Sequence, residues 1–285
     1  MGAVAPYAFG DGVPAARRLA LVAEAFEPSS RAFLERFAGA TPALAVDLGC
    51  GPGHTTLLLD EVLRPRRTLG LDQSATFLEL ARATARQGIA YLEHDVTTVP
   101  FPERPVDLAS CRFLMTHLAD PRAVLAAWAS QLAPGGLLLL DEVEEIHTEH
   151  PVLRAYLDTV ARLLTARGHR LEVGRLLESL ADPGDLRRVD SRLALLSPPT
   201  PLVGAMFGLN LGVWRHDPLV AGVATPAVLD EIALGLRALA DGEPASITCD
   251  CVSSPSSGRR EVGADQRVPR RGCAGGLRDE QRPPR

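Results

Sequence analysis

The sequence predicts an α/β fold in which a mostly parallel sheet is covered by helices on both faces. Short apolar segments of strand length alternate with segments of helical spacing between residues 41 and 150. A glycine-rich turn joins the first strand to the next helix, and carboxylates follow the next two strands. With 285 residues and a hydrophobic fraction of 46%, the chain can bury a full core.

The elements follow one another regularly in the first half of the chain. Apolar residues at helical spacing over residues 14–37 predict two leading helices, separated at Pro28. Five predicted strands then cover residues 43–48, 68–71, 89–93, 106–110 and 137–142. Helical patterns lie between them at residues 55–63, 75–86 and 121–132.

The pattern changes at residue 151. Helices are predicted at residues 152–167, 173–181 and 226–240, a strand at 186–196, and an apolar segment at 202–214. We interpret residues 151–248 as a lid or substrate-binding insertion together with the last strands of the sheet. Residues 249–285 are rich in Arg and Pro and carry little apolar periodicity. They are expected to be a disordered tail, or the product of a shifted reading frame.

Composition excludes several classes of function. A net charge of −5 argues against a nucleic-acid partner, which needs a basic face. No apolar run approaches the roughly 20 residues that cross a bilayer, and no leader peptide is evident, so a cytoplasmic protein with no membrane partner is expected. Five cysteines without ligand-like spacing to His predict neither a disulfide framework nor a metal site. Cys50 and Cys111 are interpreted as reduced core or pocket residues.

The turn after the first strand carries the most specific signal. Asp47 ends the strand, and Gly49, Gly51 and Gly53 follow at every second position. Dinucleotide-binding folds place their third glycine three positions after the second, where this chain has His54. A strand, a glycine turn and a helix N-terminus together form a site for a ligand with anionic or hydrogen-bonding groups.

This D-x-G-x-G-x-G pattern resembles the first motif of class I S-adenosylmethionine-dependent methyltransferases, in particular their bacterial small-molecule and natural-product branch. Asp72 and Asp95, after the second and third strands, fit the same family in order and spacing. The segments that begin at Cys111 and at Leu132 also resemble it. The resemblance implies a Rossmann-like sheet of seven strands, in the order 3-2-1-4-5-7-6, with a small helical lid. It also implies an antiparallel last strand near residues 246–252, and N-terminal helices within residues 1–40 that close over the cofactor.

The resemblance further implies S-adenosyl-L-methionine as cofactor and S-adenosyl-L-homocysteine as product. Asp72 would accept the ribose hydroxyls, and on its own it could also be read as the cap of the following helix, with both roles compatible. Asp95 would bind the adenine amino group beside Val96. The cofactor residues implied in this way are Tyr7, Arg18, Asp47, Gly49, Cys50, Gly51, Gly53, Asp72, Gln73, Asp95, Val96, Arg112, Phe113 and His117.

The expected reaction is in-line methyl transfer to an O, N or C atom of a small molecule, such as a secondary metabolite. His147 is the first candidate for a general base. The candidates for contacts with the acceptor are His150, Met206, Phe207 and Trp214. Two alternatives remain open: a nicotinamide-dependent oxidoreductase on a related sheet, and a protein that binds S-adenosylmethionine without transferring its methyl group. The chain is expected to be a monomer or a homodimer.

Overall fold

The computed structural model describes residues 10–180 and 184–258, and it contains a single central sheet flanked by helices. The strands are β1 (Leu44–Leu48), β2 (Arg67–Asp72), β3 (Ile89–Glu93), β4 (Val106–Arg112), β5 (Leu132–His147), β6 (Leu186–Arg188), β7 (Arg192–Leu196) and β8 (Thr248–Gly258). The helices are α1 (Val13–Glu35), α2 (His54–Leu63), α3 (Ala75–Ala83), α4 (Pro121–Ala129), α5 (Pro151–Ala166), α6 (Gly174–Ser179), α7 (Thr200–Trp214) and α8 (Pro226–Ala240). Short 3₁₀ turns cover Met115–His117 and Pro218–Gly222.

The sheet has the order β3-β2-β1-β4-β5-β8-β6, and β7 also pairs with β8. Strands β1 to β5 are parallel, and β8 runs antiparallel to β5, β6 and β7. The mostly parallel α/β fold is therefore confirmed. The predicted strand at residues 186–196 is divided into β6 and β7, which continue along the same side of β8.

The division of that strand is a local bulge. Arg188 pairs with Ser256 and Arg192 pairs with Ser253, so four steps along one strand face three steps along β8. The N–H of Val189 still donates to the carbonyl of Pro255 at 2.9 Å. One extra residue on one strand is what defines a β-bulge. With β6 and β7 counted as one strand, the order is the predicted 3-2-1-4-5-7-6.

The prediction of two leading helices was wrong, because α1 continues through Pro28. A proline inside a helix removes one backbone hydrogen bond and costs about 3 kcal/mol. Burial on both sides of the proline offsets that cost. Phe26 packs with the cysteines of β8, whereas Phe33 and Leu34 pack against α2 and β1.

The implied antiparallel last strand near residues 246–252 is present as β8, whereas the expectation of a disordered tail from residue 249 was wrong for residues 249–258. This strand lies between β5 on one side and β6 and β7 on the other, so its backbone is paired along both edges. Its Cys and Ser side chains are small enough to be buried there, and Val252 is 1% exposed. The prediction of disorder relied on composition alone, which does not record this backbone pairing with distant strands. Residues 259–285 lie outside the described part of the chain.

A second apolar cluster lies in the helices that follow β5. Helices α5, α7 and α8 contribute its buried side chains, among them Tyr156, Trp214 and Leu236. Helix α1 packs against α7, which connects this helical layer to the sheet. No described helix is both long and apolar enough to span a bilayer.

Candidate functional site

A cavity of about 750 Å³ lies at the carboxyl ends of the parallel strands. This is the edge at which open α/β sheets bind their ligands. Residues that follow β1 to β4 line one side of the cavity, and residues of α1, α5 and α7 line the other. Its volume is in the range of small-molecule sites, about 300–1,000 Å³.

The glycine turn forms the floor of the strand side. Gly49, Gly51 and Gly53 have φ angles of +70°, +52° and +90°, in the left-handed region that side chains other than glycine disfavour. The N–H groups of Gly49 and Cys50 donate to the carbonyl of Leu71 at 2.8 and 2.9 Å. The turn is thus fixed to β2, and Gly49, Cys50 and Gly51 face the cavity.

Asp47 and Gly53 support the turn from behind and are not among the described residues that line the cavity. The buried Asp47 accepts a hydrogen bond from the Thr56 hydroxyl at 2.7 Å, which joins β1 to α2. Burial raises the pKa of Asp47 to about 6. A Cβ on Gly53 would lie 2.7 Å from the Tyr91 hydroxyl oxygen. Asp47 and Gly53, which were predicted to contact the cofactor, therefore support the turn on the side away from the cavity and do not line it.

Asp72 connects the turn to the end of β2. Its Oδ2 accepts from the Gly51 N–H and its Oδ1 from the Ser74 N–H, both at 2.8 Å. Ser74 is the residue that caps α3, since its hydroxyl accepts from the Phe77 N–H. The alternative of Asp72 as the helix cap was therefore wrong. Burial raises the pKa of Asp72, although its backbone hydrogen bonds oppose the shift. Asp72 and the neighbouring Gln73 both line the cavity.

Asp95 and Val96 line the cavity just beyond β3. The Asp95 Oδ1 accepts from the N–H and the hydroxyl of Thr97, at 2.9 and 2.7 Å. Val96 is buried, and its carbonyl accepts from the indole N–H of Trp128 at 2.7 Å. The two residues are thus held by their own loop and by α4.

The segment after β4 enters the cavity through Arg112, Phe113 and His117. Phe113 has φ +53°, a conformation that costs a residue with a side chain about 1–2 kcal/mol. Glu142 holds this segment, because its Oε1 accepts from the N–H groups of Leu114 and Met115, both at 2.9 Å. Burial raises the pKa of Glu142 to about 8. Sequence analysis did not identify Glu142, although an acid inside the apolar segment of β5 was a visible signal.

Arg112 belongs to a buried polar network under the cavity. Its Nη1 donates to the Ser30 hydroxyl at 3.2 Å, and that hydroxyl donates to Asp141 Oδ2 at 2.8 Å. The Ser253 hydroxyl donates to Asp141 Oδ1 at 3.4 Å. Burial lowers the pKa of Arg112 and raises that of Asp141, while their mutual attraction favours both charged forms. The network joins α1, β4, β5 and β8.

The prediction of His147 as a base was wrong in its placement, because His147 does not line the cavity among the described residues. The preceding Ile146 lines it, and successive side chains of a strand point to opposite faces. The His147 ring is half exposed, with its Nε2 3.3 Å from Asp250 Oδ2. The only acids within salt-bridge distance of it in the described residues are Asp250 and Glu145.

Of the other predicted acceptor contacts, Met206 and Phe207 of α7 line the cavity, whereas His150 and Trp214 do not among the described residues. His150 lies before α5, with its Nε2 3.9 Å from Glu243 Oε1. Trp214 is 1% exposed and packs behind Tyr156. The predictions for His150 and Trp214 were therefore wrong in placement. Of the remaining cofactor predictions, the buried Arg18 lines the cavity, and Tyr7 lies outside the described residues.

Three polar residues of the helical side were missed by sequence analysis: Tyr156, His169 and Asn210. The rings of His117 and His169 are 6.4 Å apart, edge to face. Burial lowers the pKa of His117 to about 3 and also lowers that of His169, so both rings are neutral at pH 7. Nothing in the local sequence distinguishes these residues from ordinary helix and loop positions, because the packing of the helical layer brings them together.

Comparisons with known proteins agree with this geometry. Residues 46–140 match the model of a methyltransferase domain family. Trans-aconitate 2-methyltransferase of Methylobacterium nodulans is 35% identical over 151 residues, which are 51% of this chain and 57% of that protein. The enzyme of the same name from Streptomyces coelicolor is 30% identical over 73% of this chain and 65% of its own length.

A solved structure shows the same fold. It is a phosphoethanolamine N-methyltransferase of Haemonchus contortus in complex with S-adenosylhomocysteine, with 16% identity and a TM-score of 0.51. The match covers 82% of this chain and 53% of that one. Among the curated relatives, the chain spans 44%, 57% and 41% of the length of three that it matches.

Proposed function

We propose that this chain, which belongs to the class I S-adenosylmethionine-dependent methyltransferases, transfers the methyl group of that cofactor to a small molecule. The observation that carries the proposal is a single cavity with two unlike sides. A glycine turn and the carboxylates of Asp72 and Asp95 lie on one side, and a mostly apolar helical wall lies on the other.

The strand side fits an adenosyl group. Gly51 leaves this part of the turn without a side chain, so that a ligand can approach its backbone closely. Asp72 ends β2 and Asp95 lies two residues beyond β3, and both line the cavity with carboxylates suited to ribose hydroxyls and to an adenine amino group. Arg18 and Arg112 are the two arginines that line the described cavity, and we assign them to the carboxylate of the methionine part.

Methyl transfer from a sulfonium requires mainly that the protein align the acceptor atom with the methyl group. When bound, S-adenosylmethionine would supply a methyl group on a sulfonium, whose sulfur would leave as the neutral thioether of S-adenosylhomocysteine. Residues that fix the acceptor in line with that methyl group can supply much of the lowering of the barrier. The apolar side chains of α5 and α7 exclude water from this side of the cavity. This favours the reaction, because water would stabilise the charged sulfonium more than the transition state, in which that charge is being lost.

An acceptor that must lose a proton needs a base, and we propose His169 in place of His147. His117, after β4, and His169, after α5, are neighbouring histidines of the cavity lining, and burial disfavours the charged form of both rings. His169 is the less buried of the two rings, so desolvation opposes its protonation less than that of His117. His117 then serves as a hydrogen-bonding contact for the acceptor.

The division of the cavity into a cofactor side and an acceptor side suggests how the domains of the chain are arranged along the sequence. We propose that residues 1–40 close over the cofactor, residues 41–150 bind it, and residues 151–248 hold the acceptor. A net charge of −5 supports a small-molecule acceptor over a nucleic acid. We propose that the acceptor is a secondary metabolite and that it is methylated at an O, N or C atom. We also propose that the protein is cytoplasmic and is a monomer or a homodimer.

Incubation with methyl-labelled S-adenosylmethionine and a panel of small-molecule acceptors tests the proposal. Formation of S-adenosylhomocysteine together with a labelled product is the expected result. Tight cofactor binding without turnover on any acceptor would indicate a protein that binds S-adenosylmethionine without transferring its methyl group. Oxidation of NADPH, followed by absorbance, would indicate the nicotinamide alternative and contradict the proposal.

A further inference from the structure

The acceptor side of the cavity is formed by two helices whose side chains are mostly apolar or aromatic. We call this part the acceptor chamber, and its residues from α5 and α7 are Tyr156, Leu157, Val160, Val203, Met206, Phe207 and Asn210. The rings of Tyr156 and Phe207 stack at 4.3 Å with an interplanar angle of 13°. Such a wall binds apolar rings through area and dispersion contacts.

The amide of Asn210 is a polar group of the chamber with an unfilled hydrogen-bonding position among the described residues. Asn210 is 6% exposed, and its Nδ2 donates to the Tyr156 hydroxyl at 2.7 Å. Its Oδ1 is buried and accepts from no described residue. A buried amide oxygen without a partner is unfavourable, and a donor on a bound ligand would satisfy it. A hydroxyl both donates and accepts, so it can pair with either atom of the amide.

The chamber holds no described charge that is left for an anionic acceptor. His117 and His169 are neutral, because burial lowers their pKa values. Arg112 is joined to Asp141 through Ser30. The remaining arginine of the described lining, Arg18, is assigned above to the methionine carboxylate. A polycarboxylate would lose its hydration in this chamber without gaining a counter-ion of its own.

We propose that the acceptor is an uncharged, ring-bearing molecule whose hydroxyl group donates to Asn210, and that a polycarboxylate such as trans-aconitate is not the acceptor. This inference rests on the proposed function, since it takes the other side of the cavity to hold the cofactor. It gives the chain a substrate class different from the one in the names of its relatives.

Calorimetric titration of the full chain, saturated with S-adenosylhomocysteine, tests the proposal with three probes. The first is 2-naphthol, which has an apolar ring system and a hydroxyl. The second is 2-methoxynaphthalene, which has no donor, and the third is trans-aconitate. We expect 2-naphthol to bind at least tenfold more tightly than 2-methoxynaphthalene, and trans-aconitate to bind more weakly than both.

The variant Asn210→Leu supplies the second arm, since it keeps the size of the side chain and removes the amide. We expect it to weaken 2-naphthol about tenfold and to change the affinity of 2-methoxynaphthalene by less than twofold. Its affinity for S-adenosylhomocysteine reports whether it is folded. Should Asn210→Leu fail to fold, the comparison of the three probes on the unchanged chain decides alone.

The outcomes separate the two proposals. Binding of S-adenosylhomocysteine without binding of 2-naphthol, or with tighter binding of trans-aconitate, overturns the uncharged acceptor and leaves the methyl transfer intact. Equal affinity for 2-naphthol and 2-methoxynaphthalene overturns the role of Asn210. Absence of any S-adenosylhomocysteine binding contradicts the proposed function itself.

Discussion

The glycines of the first turn have different physical roles. Gly51 faces the cavity, and a Cβ there would be in ordinary contact with Leu19, at 3.5 Å. Gly53 faces the protein, where a Cβ would lie 2.7 Å from the Tyr91 hydroxyl oxygen and 3.1 Å from Ala81 Cβ. The first position is thus open for a ligand, and the second is required by packing.

Gly53→Ala should therefore lower the free energy of unfolding, by about 1–3 kcal/mol, because it combines a left-handed backbone with overpacking. Gly39→Ala is the matched control, since a Cβ at Gly39 meets nothing within 4 Å. Urea denaturation of both variants measures the difference. Equal stabilities for the two variants would show that the packing below the turn is not as described.

Glu142 makes the stability of the chain depend on pH. Its pKa is about 8 in the folded protein against 4.5 for a free side chain, so between these values the unfolded state loses the proton and the folded state keeps it. Stability from this group is highest below pH 4.5 and falls as the pH rises to 8, by at most about 1.4 kcal/mol per pH unit.

Glu142→Gln removes that dependence while its amide oxygen can still accept from Leu114 and Met115. The variant should gain stability relative to the wild type between pH 5 and pH 8, by at least about 1 kcal/mol. Urea denaturation at both pH values measures it. Glu149→Gln, at a carboxylate whose side chain is 96% exposed, should show no such gain. The same change in the free energy of unfolding between pH 5 and pH 8 for Glu142→Gln and the wild type would contradict the account.

At the scale of elements, α7 and α8 approach each other at one glycine. A Cβ on Gly204 would lie 2.5 Å from the Ala240 nitrogen and 2.8 Å from the Leu236 oxygen, which are backbone atoms. One face of the same helix is open, since a Cβ on Gly212 meets nothing within 4 Å. The close packing of α7 on α8 determines where Phe207 and Asn210 lie in the acceptor chamber.

Gly204→Ala and Gly212→Ala should consequently have opposite effects on stability. The first should cost about 1–3 kcal/mol through overpacking. The second should gain up to about 1 kcal/mol, because alanine is the better helix former. Thermal unfolding of both variants distinguishes the two. A stabilised Gly204→Ala would show that the two helices are further apart than described.

Strand β8 gives the second prediction at this scale. Val252 is 1% exposed within it, whereas Val189, at the bulge between β6 and β7, is 60% exposed. Val252→Asp should lower the free energy of unfolding by at least about 3 kcal/mol, because it buries an unpaired charge. Val189→Asp should change it by less than about 0.5 kcal/mol. Comparable effects in urea denaturation would mean that residues 249–258 do not belong to the core.

The elements that sequence analysis predicted well were those with a local pattern. Strands β1 to β4 agree with their apolar segments to within about two residues, because a strand buried on both faces is recorded directly in its sequence. Helix α1 was predicted as two helices, and β8 was predicted only near residues 246–252 beside a disordered or frame-shifted tail, for the opposite reason. Pro28 and the Cys- and Ser-rich segment are locally unfavourable, and distant packing stabilises them.

The same difference separates the two sides of the site. Gly49, Gly51, Asp72 and Asp95 were predicted because the order of the strands places them at one edge. Asn210 and His169 come from a helix and a loop that are remote from that edge in sequence. Only the packing of the helical layer on the sheet brings them to the cavity, and periodicity does not encode that contact.

On the scale of the whole molecule, the sheet and the helical layer each have an apolar cluster, and the cavity lies where they meet. The sheet and α1 supply the proposed cofactor side, and α5 and α7 supply the proposed acceptor side. Affinity for the cofactor should thus depend on the strand ends and be nearly independent of exposed positions on the helices.

The most direct test is calorimetric titration of the chain with S-adenosylhomocysteine, repeated for Asp72→Ala and for Asp158→Ala, at an exposed carboxylate on α5. We predict binding of one molecule per chain, a loss of at least tenfold in affinity for Asp72→Ala, and no change for Asp158→Ala. Absence of binding by the folded chain, or equal affinity for all three proteins, would contradict the cofactor site at the centre of this account.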